Sequence, residues 1–263
     1  LLDGLAQELT NGKSKILASS ATLAGFSHQC RTLYSRDSRV FPVQGPRTGQ
    51  SFWFQDTPNL LRRFVALAPR GQTNEYAHDR ILTVLQHTVR SAIAAPSALA
   101  VLLDVDEAIV PHLVSLYGTQ VVYGNTNRDV QASLRSLETQ VHVDGQLNTQ
   151  EMTGYTNFEQ VRHALHRLEV PEQSFGDRIH VVCASSMISH GVDVDRLNCM
   201  LVLGQPLTTA EFIQSTARVG RTWPGIVFVL HRMARERDVG LFRSFRAFVE
   251  QGDRFVEAIP ITR

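Results

Sequence analysis

Residues 178–230 read RIHVVCASSMISHGVDVDRLNCMLVLGQPLTTAEFIQSTARVGRTWPGIVFVL, and their pattern decides the fold class. Three short apolar runs stand out: RIHVVCAS (178–185), CMLVLG (199–204) and GIVFVL (225–230). Each contains an unbroken apolar stretch, VVCA, CMLVL and IVFVL, as a strand buried on both faces requires. Between the second and third runs, Thr208 followed three residues later by Glu211 has the form of a capping box just past Pro206, so a helix starts there. Buried strands separated by helices predict a parallel sheet covered on both sides.

Working outward, the same alternation continues. TQVVYG (119–124) reads as a strand, with helices expected around 108–116, 129–137 and 158–168. RRFVALAP (62–69) suits another strand, and Ile81, Val84, Leu85 and Val89 give 76–95 helical spacing. At the start, LLDGLAQEL carries Leu2, Leu5 and Leu9 at helical spacing and leads into KILASSATL (15–23), expected to be a strand. ARERDVGLFRSFRAFVEQ (234–251) reads as one final helix, with its aromatics packed on the core. Pro42, Gly45, Pro46 and Gly49 mark an irregular connection. The expected class is α/β, a doubly wound parallel sheet with helices on both faces.

The chain has 263 residues, 43% of them hydrophobic, enough to bury a real core. With 26 basic and 25 acidic side chains, the net charge of +1 excludes bulk attraction to polyanions, so contact with nucleic acid must be local. Apart from Lys13 and Lys15 the cations are arginines, whose planar fork binds phosphate through two hydrogen bonds. Cys30, Cys183 and Cys199 are far apart and form no CxxC pair, which argues against a structural metal or a disulfide framework. No metal ligands are assigned. No apolar run is long enough for a membrane span, and a cytoplasmic protein without membrane contact is the expectation.

Four segments carry chemical signals. Gly12, Lys13 and Ser14 imitate the end of a phosphate-binding loop, but Gln7 stands where its first glycine belongs, and the strand follows instead of preceding. Ser20 and Thr22 close the first apolar run, where hydroxyls either relay hydrogen bonds or cap a helix. In SSMISHGVDV, Ser189 and His190 offer hydrogen bonds, Gly191 allows close backbone approach, and Asp193 can accept from a ribose hydroxyl. Ser189 and His190 do not form a catalytic pair, because adjacent side chains on extended backbone point apart. Gln214, Arg218 and Arg221 are spaced i, i+4, i+7, one stripe if the helix persists; alone, that stripe is a solvated basic face as readily as an anion site.

Order and spacing add what no single segment gives. ATL after KILASS resembles motif III of superfamily 2 helicases, SSMISHGVDV resembles motif V, and QSTARVGR resembles motif VI, with Ala217 in place of the usual glycine and His190 in place of the more common arginine. Within that superfamily the chain is most similar to the helicase component of the DISARM anti-phage system, through GVDVDRLNCMLVLGQPLTTAEFIQSTARVGR, DRFVEAIPIT, FSHQCRTLY and FPVQGP.

The resemblance implies a RecA-like fold, with 1–25 as the end of a first lobe, 26–60 as a connection and 61–263 as the second lobe, carrying a possible helical insertion over 72–118. It implies ATP and magnesium held mainly by a first lobe that this chain lacks, so that the piece alone is inactive. Arg218 and Arg221 would be arginine fingers aided by Gln214. Asp193, Gly191 and Thr22 would face the nucleotide, and Ser20, Ser189 and His190 the DNA, single-stranded or at a duplex end. Other defence-system subunits are expected partners. The competing expectation is a non-catalytic RecA-like module that binds nucleic acid or scaffolds a complex.

Overall fold

Six parallel strands form one sheet: β1 (Arg62–Leu67), β2 (Gln120–Gly124), β3 (Thr149–Met152), β4 (Val181–Ala184), β5 (Cys199–Leu203) and β6 (Gly225–Leu230). Their order across the sheet is β1-β6-β5-β2-β4-β3. The computed structural model describes residues 8–9, 15–20, 24–41, 58–143, 145–170, 174–189, 192, 194–252 and 256–257. The chain divides into two units, Leu60–Gly252 and Leu1–Asn59 with Asp253–Arg263.

In the larger unit, alternate residues of each central strand go to opposite faces, as the period of two requires. Val122, Val181, Cys183, Leu201 and Leu230 pack under Leu82, Val130 and Leu137. Tyr123, Val182, Met200, Val202, Val227 and Val229 pack on the other side with Ala164, Leu168, Phe212, Phe245 and Phe248. The first face is covered by α2 (Asn74–Ala94) and α5 (Asn127–Thr139), the second by α6 (Phe158–Glu169), α7 (Thr209–Thr216) and α9 (Phe245–Glu250); α1 is Phe26–Tyr34 in the smaller unit. The sheet is therefore doubly wound and all-parallel, as its apolar runs predict.

Between β1 and β2, the tract 72–118 is a crossover built from helices. α2 is followed by α3 (Pro96–Leu103), a short 3-10 turn and α4 (Val110–Tyr117). Val89, Ala92, Ala100, Val110 and Val114 form a small core of their own. No helix among the described residues is long and apolar enough to cross a membrane.

Four elements differ from their sequence reading. Lys15–Ser20 is exposed and belongs to no strand; an apolar run becomes a strand only where a neighbour accepts its ladder, and no such neighbour occurs among the described residues of its unit. The connection expected over 26–60 contains α1. β3 escaped because its sequence, TQEM, has no apolar run; as the sheet's edge strand it needs little apolar surface, and a charged residue such as Glu151 protects such an edge. The final helix is broken at Ser244 into α8 (Glu236–Arg243) and α9.

Candidate functional site

The turn after α7 gathers the strongest sequence signals. Thr208 caps α7 by accepting from the Glu211 N–H at 3.1 Å. The Glu211 carboxylate is engaged by the Tyr123 hydroxyl, which donates to it at 2.6 Å. At the other end, the Ser215 and Thr216 hydroxyls donate back to the Glu211 and Phe212 carbonyls, each at 2.7 Å. Such back-bonding weakens a helix end, and α7 stops at Thr216. The Arg218 and Val219 N–H groups then reach only three residues back, to Ser215 and Thr216, in 3-10 fashion.

The single helical stripe predicted for Gln214, Arg218 and Arg221 is therefore corrected. Gln214 lies on α7, whereas both arginines lie in the turn before β6. Gly220 makes that turn possible. Its φ is +68°, and a Cβ there would collide with the Leu61 carbonyl, lie 2.7 Å from Arg62 Cγ and lie 2.8 Å from the Gly225 nitrogen. The turn thus sits where β1 and β6 begin, with the Gly225 N–H donating to the Leu61 carbonyl at 2.7 Å.

The second motif comes alongside. After β4 the chain forms a 3-10 turn, Ser186–Ser189, and returns through Val192 and Val194 towards β5. Arg218 Nη1 donates to the Val192 carbonyl at 3.4 Å, and the Thr222 hydroxyl donates to Asp195 Oδ1 at 2.8 Å. The segments read as motifs V and VI are therefore neighbours. Gln214 and Arg218 are half-buried and Arg221 is exposed. Ser20 is exposed in the other unit. Thr22, His190, Gly191 and Asp193 lie outside the described residues, as does the Gly12–Ser14 decoy.

Sequence reasoning missed a third cation. Arg62, at the start of β1, donates from Nε to the Gly220 carbonyl at 3.5 Å. Burial and the charge of Arg221 together hold the Arg62 guanidinium below its ordinary pKa. It lies 156 and 159 positions from Arg218 and Arg221; no local pattern brings them together, only the β1–β6 pairing.

Other chemically suggestive groups serve the fold. Burial pushes the Cys183 and Cys199 thiols up to about 12, so neither is a thiolate. His78 lies 2.7 Å from Asp79 Oδ1 and 2.8 Å from Ser133 Oγ, like a nucleophile relay. Ser133 sits inside α5, where backbone N–H groups are engaged in the helix and cannot form an oxyanion hole. With Ser133 and His78 only 3% and 4% exposed, the array joins α2 to α5. Among the described residues no cluster of three or more His, Cys, Asp or Glu suits a metal ion. Clefts of about 800 and about 770 Å³ are lined by other residues, one along the segment before β3 and the other beside Glu151 and Tyr155.

Residues 104–222 match the helicase conserved C-terminal domain family. The chain is 28% identical to the DISARM protein DrmA of Bacillus paralicheniformis, over 95% of this chain and 23% of that protein. Its fold is similar to that of a DUF1998 helicase, MrfA. The structure bound to DNA and AMPPNP matches with a TM-score of 0.57 at 15% identity, over 92% of this chain and 28% of that one. The structure bound to DNA alone matches with a TM-score of 0.55 at 15% identity, over 76% of this chain and 24% of that one. The chain spans about a quarter of the length of each of these proteins.

Proposed function

We propose that this chain, whose residues 104–222 match the helicase conserved C-terminal domain family and which is similar to DrmA and MrfA, is the C-terminal lobe of a superfamily 2 helicase and supplies the arginine fingers of an ATP-driven DNA helicase or translocase acting in anti-phage defence. One observation carries the reading: Arg62, Arg218 and Arg221 converge on a single turn at one edge of the sheet, beside the returning motif V segment. Three guanidinium groups fit phosphate oxygens far better than a metal ion. Such a half-site is an open face, completed by a nucleotide bound to another lobe.

In this reading Arg221, the exposed member, meets the transferring phosphoryl group, while Arg218, tied to Val192, fixes the turn relative to motif V. Fingers of this kind are worth about three to five powers of ten in rate. Gln214 orients the site, and Asp193, Gly191 and Thr22 face the nucleotide. Ser20, Ser189 and His190 hold the DNA strand through phosphate contacts that read no sequence. Magnesium and most nucleotide contacts belong to the partner lobe of the intact enzyme. Lobe closure around ATP then drives movement along DNA. The likeness to DrmA supports the defence role and association with other defence subunits.

The test is ATP hydrolysis by the full-length protein with and without single-stranded DNA. We expect turnover that rises several-fold with DNA and is lost in Arg221→Ala. ATP-independent DNA binding, with no hydrolysis under any condition, would instead fit a scaffolding module.

A further inference from the structure

We infer that Tyr117 and His112, on the last helix of the β1-to-β2 crossover, are positioning residues for the arginine turn; the inference rests on the function proposed above. The starting point is the end of α4. A helix leaves its last four carbonyls without intrahelical donors. Here side chains reach all four: Val114, which also accepts the Gly118 N–H at 2.9 Å, takes Arg178 Nη2 at 3.0 Å, and Ser115, Leu116 and Tyr117 take Arg196 Nε at 3.3 Å, Asn198 Nδ2 at 3.2 Å and Gln120 Nε2 at 3.0 Å. The donors stand just before β4, just before β5 and at the start of β2. Two of them are cations, which also suits the negative end of the helix dipole. Gly118 completes the fit, since a Cβ there would lie 2.5 Å from Arg178 Nη2. The end of α4 is therefore fixed to three strand starts at once.

From this anchored end two side chains reach the arginine turn. The Tyr117 hydroxyl donates to the Pro224 carbonyl at 2.6 Å. The His112 ring meets Trp223 edge-on, with centroids 5.3 Å apart and planes at 78°. Thr222 is held from the opposite side by Asp195 at 2.8 Å. Three consecutive residues, Thr222, Trp223 and Pro224, are thus gripped immediately after Arg221. The turn has no helix or strand of its own to hold it. Its rigidity comes from these ties, and misplacement of a reacting group by about 1 Å costs on the order of 10² in rate. Proline lacks an N–H and Trp223 is 42% exposed, so neither the ladder nor the core holds this segment by itself.

The experiment uses the full-length protein carrying Tyr117→Phe, which removes only the hydroxyl. ATP turnover, KM for ATP and melting temperature are measured alone and in the Arg221→Ala background. We expect kcat to fall about 5- to 20-fold with KM within twofold and melting within about 2 °C, and the effect to vanish once Arg221 is absent. His112→Ala, at an exposed site that does not threaten folding, should lower kcat about threefold, and His112→Phe, which keeps the edge contact, should restore it. If Tyr117→Phe and His112→Ala lower melting but leave kcat untouched while Arg221→Ala abolishes turnover, these residues serve stability alone and the inference is overturned. If Arg221→Ala turns over normally, the proposed function fails and takes the inference with it.

Discussion

Where β5 and β6 end, Arg232 and Arg237 are used up by the protein itself. Arg232 pairs with Asp129 at 2.6 Å and donates to the Leu203 carbonyl at 3.2 Å. Arg237 donates to the Gln205, Pro206 and Leu207 carbonyls. Asn125 adds donations to the Leu203, Gly204 and Gln205 carbonyls, so the carbonyls beside the ends of β2 and β5, the usual ligand position in open α/β sheets, are taken by the protein's own side chains, next to a cleft of about 460 Å³ lined by Asp129, Leu203, Leu230 and Arg232. At the opposite end, where β1 and β6 begin, Arg62 donates to the Gly220 carbonyl at 3.5 Å and Arg218 to the Val192 carbonyl at 3.4 Å, while Arg221 is exposed and close enough to Arg62 to disfavour its charge. The same residue type is structural at one end of the strands and, in the function proposed above, meets a nucleotide at the other. Arginine content or spacing alone cannot separate the two uses; the exposure of Arg221 and its closeness to Arg62 set that end apart.

The comparison can be broken most forcefully at Gly220. Gly220→Ala forces a side chain into left-handed backbone and against Leu61 and Gly225. We expect about 2–4 kcal/mol of lost stability and a turnover loss of more than about 100-fold in the molecules that remain folded, measured by denaturant unfolding and ATP hydrolysis of the full-length protein. At the other edge, Arg232→Ala should cost about 2–3 kcal/mol by leaving the partly buried Asp129 unpaired, with kcat per folded molecule within about twofold. A large kcat loss there would erase the distinction between the edges.

Acid provides a third test. His180 is fully buried, accepts the Asn148 N–H at Nδ1, and is held down to about 4 by burial and by the charge of Arg178. Unfolded, the same histidine titrates near its ordinary 6.5, so the unfolded chain binds the proton first. The stability given by neutral His180 is complete above about 6.5 and is lost as pH falls towards 4. Burial lowers His78 and His231 in the same direction. Melting temperature should therefore drop across this window, and His180→Gln should flatten the drop; an unchanged profile would contradict the buried neutral state. The smallest expected effect is at Arg62: Arg62→Met should raise KM for ATP about threefold, because one of the three cations proposed to face phosphate is gone.

Much of the fold was legible because burial on both faces writes itself as continuous apolar sequence. VVCA, CMLVL and GIVFVL became β4, β5 and β6 within three residues of their expected limits. β3 was illegible because an edge strand needs no such run. The candidate site was half legible. Motif spacing singled out Arg218 and Arg221, but helical periodicity placed them on α7, and the hydroxyl back-bonds of Ser215 and Thr216 with the positive φ of Gly220 put them in a turn instead. Arg62 and the Tyr117–Pro224 tie were invisible, since both depend on long-range pairing of strands and a crossover helix that no local pattern encodes.

The central claim is that Arg221 acts on the transferring phosphoryl group. Single-turnover ATP hydrolysis by the full-length protein, with protein in excess over ATP and DNA saturating, tests it most directly when Arg221→Ala is set beside Arg237→Ala. The account predicts a fall of about 10³-fold or more for Arg221→Ala with ATP affinity kept within a few-fold, and a rate within about twofold of the parent for Arg237→Ala. Equal rates for the two variants, or loss of ATP binding as the whole of the Arg221→Ala defect, would contradict it.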